Sequence, residues 1–184
     1  NIYTKTVDDS SVSEFKEYNL NIITYQPFRW VKSGGANSST YYQLGRSGNG
    51  NQTFDDASVI NDWLITNPKI KILEIKGGNT FTLFLVDNEG KQEMWSIGYN
   101  NYGQLAIGDT ITTNIIKKST LINDFMDTHN VTVKSYVCGG SNFTIVLFSN
   151  GKLYGTGHNN VSQLATGNTT NSGSQLVECS LYNN

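Results

Sequence analysis

Proline and cysteine each occur only twice in 184 residues, histidine occurs twice, and charged residues make up 15% of the chain. Each scarcity closes off a class of function. Cys138 and Cys179 are too few and too far apart for a disulfide framework or a zinc-type spacing. Cys138, beside a glycine pair in a strand-like segment, reads as a small buried residue. His129 and His158 each neighbour an asparagine in a predicted loop, and neither stands near a partner that would make it a catalytic base. With a net charge of -2 there is no broad basic face, which disfavours nucleic-acid binding through many phosphate contacts. Lys69, Lys71 and Lys76 lie in a strand-like run and read as a solvated face. No apolar run reaches the length needed to cross a bilayer, and the start has no signal-peptide pattern, so no membrane partner is expected. The first residue is Asn1 rather than Met, which reads as a processed or partial chain.

What the chain has in abundance is asparagine, threonine, serine and glycine, and these fall into a repeat. Ser58-Val59-Ile60-Asn61-Asp62-Trp63-Leu64 returns as Thr120-Leu121-Ile122-Asn123-Asp124-Phe125-Met126. Gly77-Gly78-Asn79-Thr80-Phe81-Thr82-Leu83 returns as Gly139-Gly140-Ser141-Asn142-Phe143-Thr144-Ile145. Gly98-Tyr99-Asn100-Asn101-Tyr102-Gly103-Gln104-Leu105-Ala106 returns as Gly157-His158-Asn159-Asn160-Val161-Ser162-Gln163-Leu164-Ala165. Three blocks in constant order, about sixty residues apart, are the signature of a modular array or propeller. Six Asn-x-Ser/Thr triplets, at Asn37, Asn51, Asn130, Asn142, Asn160 and Asn168, carry little weight in so Asn- and Thr-rich a chain.

Within the second unit, Ile70 to Ile75 and Glu93 to Ile97 read as strands. Between them, Phe81 to Val86 lacks polar alternation and is expected to be buried on both faces. Asp87-Asn88-Glu89-Gly90 is the intervening turn, and Gly98 ends the third strand. In the third unit the strands are Val131 to Val137, Phe143 to Phe148 and a return through Lys152-Leu153-Tyr154, with a hairpin at Asn150-Gly151. The expected core comprises Phe81, Leu83, Leu85, Phe143, Ile145 and Leu147. Short helices join the units, one carrying Val59, Ile60, Trp63 and Leu64 and capped by Asp55 or Asp56, the other carrying Leu121, Ile122, Phe125 and Met126. The first unit is degraded: Trp30, Gly35-Ala36-Asn37 and Gln43-Leu44-Gly45 align with Ile97, Gly98-Tyr99-Asn100 and Gln104-Leu105-Ala106. Residues 1–27 match nothing and read as an arm or linker. Residues 28–184 divide into units of about 28–57, 58–119 and 120–178, and Leu176-Val177 opens a further strand.

The two Gln-Leu blocks, with the glycine pairs and hairpins before them, resemble the repeat of the regulator of chromosome condensation family. That repeat runs through Trp-Gly-x-Asn-x-x-Gly-Gln-Leu-Gly-x-Gly, here Ile97-Gly98 to Gly108 and Thr156-Gly157 to Gly167. The resemblance spans roughly residues 28 to 178. Its tryptophan is replaced by Ile97 or Thr156, one glycine by Ser162 and another by Ala106 or Ala165. The drift and the Asn-, Thr- and Ser-rich composition are similar to repeats of bacteriophage and environmental bacterial proteins. The resemblance implies an all-β fold, a partial β-propeller of two to three blades with short inter-blade helices. Leu105 and Leu164 are expected to anchor the loops, with Gln and Asn amides satisfying their backbone groups.

No nucleophile, base, metal or cofactor set emerges. Asp55-Asp56 and Asp87/Glu89 read as cap and turn, and Gly155-Thr156-Gly157 leads into no helix, so it is no dinucleotide fingerprint. The expectation is a binding or structural module without catalysis or cofactor, in which Tyr41, Tyr42, Tyr99 and Tyr102 form an interaction loop. Three units cannot close a ring, so protein partners, further repeats or a homo-oligomer should cover the ends. A virion component, at a phage tail or capsid surface, is the sharper form of this reading. A signalling adaptor, or the guanine-nucleotide exchange activity that the resemblance implies, is the alternative.

Overall fold

The computed structural model describes residues 31–37, 43–45 and 50–183. The arm expected at residues 1–27, Trp30, Tyr41 and Tyr42 lie outside the described residues. Two strands, β1 (Lys32–Asn37) and β2 (Gly50–Asp56), pair antiparallel and lead into helix α1 (Ser58–Thr66). The middle sheet follows as β3 (Ile70–Gly77), β4 (Phe81–Asn88), β5 (Lys91–Gly98) and β6 (Thr113–Lys118), paired in that order. Helix α2 (Thr120–His129) then enters the third sheet: β7 (Val133–Gly139), β8 (Phe143–Phe148), β9 (Leu153–Gly157) and β10 (Val177–Glu178). All pairings within both four-stranded sheets are antiparallel. These are two blades of a β-propeller, preceded by part of another.

Local chemistry explains the hairpins. The Asp87 carboxylate accepts the Gly90 N–H at 2.6 Å, and Asn150 Oδ1 accepts the Lys152 N–H at 3.1 Å. Each side chain closes its own turn, as short polar residues do. The outer strand β6 is not apparent in the sequence. It carries two exposed positions, Asn114 and Ile115, and only Thr113 is fully buried, so no alternation marks it. The pair Leu176-Val177 leads into β10, the outer strand of the third sheet.

Stacking decides which side chains are buried. Thr82, Phe84 and Val86 of β4 face α1 and the first unit, where Phe84 and Val86 meet Ile60, Leu64 and Ile97. Phe81, Leu83 and Leu85 face the other way and meet Ile122, Met126, Val146 and Phe148. β4 is therefore buried on both faces, as its unbroken apolar run predicts. The expectation for β8 needs correction. Phe143, Ile145 and Leu147 are only half-buried, while Thr144, Val146 and Phe148 are buried. The latter three face the middle sheet; the former three face outward from the last blade, where no described residue covers them as blade three covers Phe81, Leu83 and Leu85.

Two further expectations change. Asp55 and Asp56 belong to β2, and the N-cap position of α1 is held by Ala57, which has no capping side chain. Lys76 is not simply solvated. It donates to the Tyr136 carbonyl at 2.8 Å, pairs with Glu74 at 2.8 Å and sits 4.6 Å over the Tyr136 ring, which ties β3 to β7.

A single asparagine fixes each joint between helix and sheet. Asn61 in α1 accepts from the Val31 N–H (2.8 Å) and donates to the Val31 carbonyl (3.2 Å). Asn123 in α2 does the same at Met94, at 3.1 and 2.8 Å. The amide imitates a peptide group and continues the ladder sideways. That explains how polar residues at 3% exposure persist inside an apolar joint.

Leu164 is fully buried. Leu164→Ala should lower stability by about 2–5 kcal/mol, the range for core leucines. His158→Ala, half-buried at the loop rim, should cost under about 1 kcal/mol by the small effects usual away from cores. Urea midpoints of the two variants check this order; the reverse order would overturn the placement of the loop anchor.

Candidate functional site

Each blade turns from its third to its fourth strand through a long loop, residues 99–112 in the middle blade and 158–176 in the third. Gly98 and Gly157 open these loops at φ 122° and 111°. A β-carbon at Gly157 would lie 2.5 Å from the Asn142 carbonyl oxygen, and one at Gly98 would lie 2.6 Å from the Phe81 Cα. Both positions thus require glycine twice over, for conformation and for space.

The loops are held from inside by one asparagine each. Asn100 Oδ1 accepts the Leu105 N–H at 2.9 Å, and its amide donates to the Asp109 carbonyl at 2.9 Å. Asn159 repeats this, accepting the Leu164 N–H at 2.8 Å and donating to the carbonyls of Asn168 and Thr170 at 3.0 Å each. Gln104 Oε1 accepts the Tyr102 N–H at 3.2 Å, and Gln163 Oε1 accepts the Val161 N–H at 3.0 Å. Leu105 and Leu164 are buried completely, as the expected anchors. The alanines that replace the family's glycine, Ala106 and Ala165, sit at φ 55° and 52°, while Gly45 keeps glycine at 65°. The left-handed turn survives the substitution at a cost of order 1–3 kcal/mol per alanine.

On this frame lies an aromatic row. Tyr99 meets Tyr102 edge-on at 6.2 Å, and Tyr102 stacks on His158 of the next blade at 4.2 Å with 28° between the planes. All three rings are half-buried, so each keeps solvent-facing surface. Beneath them, the Thr80 hydroxyl donates to Asn142 Oδ1 at 3.0 Å, joining the short loops before β4 and β8. Backbone N–H groups of Tyr99 and His158 donate to the Thr80 and Asn142 carbonyls at 2.9 Å each. The row is therefore braced to both blades rather than carried on a floppy loop. Tyr99 and Tyr102 lie in one loop with their rings in contact, and His158, a surface-loop position by sequence, extends the row from the third blade. The clue available in sequence was its equivalence to Tyr99 in the repeat.

Among the described residues no group of three or more His, Cys, Asp or Glu could hold a metal ion. Burial pushes the Cys138 thiol up to about 12 and that of Cys179 up to about 11, so both stay protonated and unreactive near neutral pH. His129 stacks on Phe125 at 4.0 Å with its Nδ1 3.0 Å from the Phe125 carbonyl. Among the described residues no helix is long and apolar enough to cross a membrane.

Asn159→Ala should leave a buried Leu164 N–H and two loop carbonyls without their partner, costing about 1–3 kcal/mol. Its exposed neighbour Asn160→Ala should stay within about 0.5 kcal/mol of the parent. Thermal midpoints compared side by side check the difference, and equal midpoints would overturn the assigned bracing role.

Comparison with known proteins agrees with this geometry. Residues 133–163 match the model of the regulator of chromosome condensation (RCC1) repeat. Human WBSCR16 superimposes with a TM-score of 0.55 at 18% identity, over 79% of this chain and 35% of that one. The structure of Prp20p from Saccharomyces cerevisiae, described with its binding to Gsp1p and histones, gives 0.55 at 16% identity over 84% and 35%. Yeast RCC1 (Prp20) bound to Kap60 gives 0.54 at 17% identity over 80% and 34%. The chain spans about a third of the length of these structures. Residues 133–163 are thus similar to an RCC1 repeat, and the sheets around them have the fold of RCC1-type propeller blades.

Proposed function

We propose that this chain is a non-catalytic binding module of a larger assembly, and that the Tyr99–Tyr102–His158 row is its recognition surface. The observation that carries the reading is the row itself. Three half-exposed rings cross a blade boundary on backbone braced from both sides. Aromatic rings give large contact area for few rotatable bonds, and a rigid frame removes much of the ordering cost of binding. Protein is the partner class this suits, as the low positive charge disfavours nucleic acid. Yeast Prp20, whose structures were described with its binding of Gsp1p and histones and bound to Kap60, is a protein of this fold engaged by other proteins. Tyr41 and Tyr42, which precede Gln43-Leu44 in the first unit's sequence as Tyr102 precedes Gln104-Leu105, are proposed to contribute to recognition as well. A virion component is the finer form of the proposal and rests on the drifted, Asn- and Thr-rich repeats alone. Self-association is the form in which the partner is a second copy.

Partner capture from extracts of the source organism tests the reading. Tyr99→Ala/Tyr102→Ala should lose most of the captured protein, at least tenfold, with a thermal midpoint close to the parent. Ile115→Ala, exposed on β6 and not one of the three rings, should capture as the parent does. Undiminished capture by the double variant would overturn the surface assignment, and substrate turnover abolished by a single side-chain change would overturn the non-catalytic reading.

A further inference from the structure

A groove of about 420 Å3 lies between α2 and the segment that leads into β10, and the residues lining it are separate from the aromatic row. Its helical side is the stripe Leu121, Asp124, Phe125 and Thr128, whose spacing puts them on one face of α2. Leu176 lies on the other side, and His129 stands at the helix end. The floor is apolar and well supported. Phe125 packs on Phe148 at 4.6 Å and on Tyr154 at 4.4 Å, and His129 stacks on Phe125 at 4.0 Å.

Three features give this groove a preference for positive charge. Asp124 is exposed, and among the described residues its carboxylate has no partner. The neighbouring carboxylates in α2 and β10 are taken: Asp127 pairs with Lys91 at 2.9 Å and Glu178 with Lys152 at 3.1 Å. His129 adds an acceptor. Its Nδ1 lies 3.0 Å from the Phe125 carbonyl. A carbonyl only accepts, so Nδ1 carries the hydrogen and the neutral ring keeps Nε2 as an acceptor. The groove also runs along the C-terminal half of α2, where unsatisfied carbonyls make the helix end negative. No lysine or arginine lines it. At corresponding places on the outer strands the middle blade has Lys117 and Lys118, and the third blade has Val177 and Glu178.

The carboxylate recurs. Asp62, Trp63 and Thr66 hold the same places in α1, and Asn67 donates to the Trp63 carbonyl at 2.8 Å as His129 does to that of Phe125. Most residues that the two helices share are explained by a bond or a buried contact, as Asn61 and Asn123 are by their clamps. Asp62 and Asp124 are exposed, and aspartate is one of the weaker helix formers. Folding gives no reason for either.

We propose that the groove on α2 receives an arginine side chain of a partner protein, its guanidinium on Asp124 and His129 Nε2 and its methylenes on Leu121, Phe125 and Leu176. Arginine suits these surroundings better than lysine. Its planar fork meets a carboxylate through two N–H bonds and lies against aromatic rings, while its stem covers apolar surface. The proposal does not rest on recognition by the aromatic row.

Blocked alanine pentapeptides with a central arginine, lysine, citrulline or glutamate are the probes, titrated into the 184-residue chain while its amide resonances are followed by NMR. The arginine peptide should shift residues 121–129 and 174–176 and leave residues 99–104 in place. Citrulline has nearly the same shape without the charge, and its peptide should bind at least tenfold more weakly, as should the glutamate peptide. Asp124→Asn should weaken binding of the arginine peptide at least tenfold, with a thermal midpoint close to the parent's. Tyr99→Ala/Tyr102→Ala should bind that peptide as the parent does, so loss of capture through the row and loss of this site are told apart. Equal binding of the citrulline peptide, or undiminished binding by Asp124→Asn, would overturn the proposal. So would shifts confined to residues outside the groove, or none at the highest soluble peptide concentration. A lysine peptide that binds as tightly as the arginine peptide would overturn the choice of arginine.

Discussion

A four-stranded sheet of this kind has two apolar faces, and everything else in the molecule follows from the need to cover both. β4 shows the condition met: six successive residues, Phe81 to Val86, are buried because a neighbour lies on each side. At about 25 cal/mol per Å2 of apolar surface removed from water, a blade with one bare face forgoes several kcal/mol. Stability in such an array is a sum of units and of joints between them, so a unit's sequence is meaningful only beside its neighbours'.

Apolar packing holds the blades together but does not set their register, because it has no direction. Direction comes from a few polar contacts placed inside the joints. Asn61 and Asn123 lock each helix entry to one backbone residue of the unit before it, and Asn183 makes the same pair of bonds to Leu153. Thr82 and Thr144 lock each second strand to the preceding glutamine loop. Tyr136 adds a bond from its hydroxyl to the Glu74 carbonyl at 3.1 Å, and the Thr156 hydroxyl reaches the Gly103 carbonyl at 2.8 Å. A misregistered blade would strand these groups without water or partner, a penalty of about 1–3 kcal/mol each. Specific stacking thus comes from polar atoms inside an apolar contact.

Sequence made the parts that recur legible. The helices, β4, the two hairpins and the Asn-Gln-Leu loops are each present twice with the same residue types, so their roles show as pattern. The outer strands β6 and β10 were harder, since an edge strand has one neighbour and little apolar alternation to betray it; Val177-Glu178 is only a fragment of such a strand. The covered face of β8 does not show in the sequence, because Phe143, Ile145 and Leu147 are more apolar than Thr144, Val146 and Phe148 and yet are the less buried set. Which set is covered depends on where the array has a neighbour. Asp55 and Asp56 were misread for a similar reason: a local cap signal yielded to strand pairing with Ser33 and Lys32. The stacking of Tyr102 on His158 needs the distance between blades, which no single unit contains.

The same comparison between units separates frame from function. Asn100 and Asn159, Gln104 and Gln163, Leu105 and Leu164, and the left-handed Ala106 and Ala165 are identical pairs, and each is explained by a bond or a buried contact. At the rim the pairs differ: Tyr99 against His158, and Tyr102 against Val161, which is 72% exposed. Folding asks nothing particular of these positions, because the loop is already held by backbone and amide bonds. They are free to vary from blade to blade, so the rim presents a different side chain at each step along the arc. The order of the blades sets the order of these side chains, so the contacts that fix stacking also fix what the rim presents.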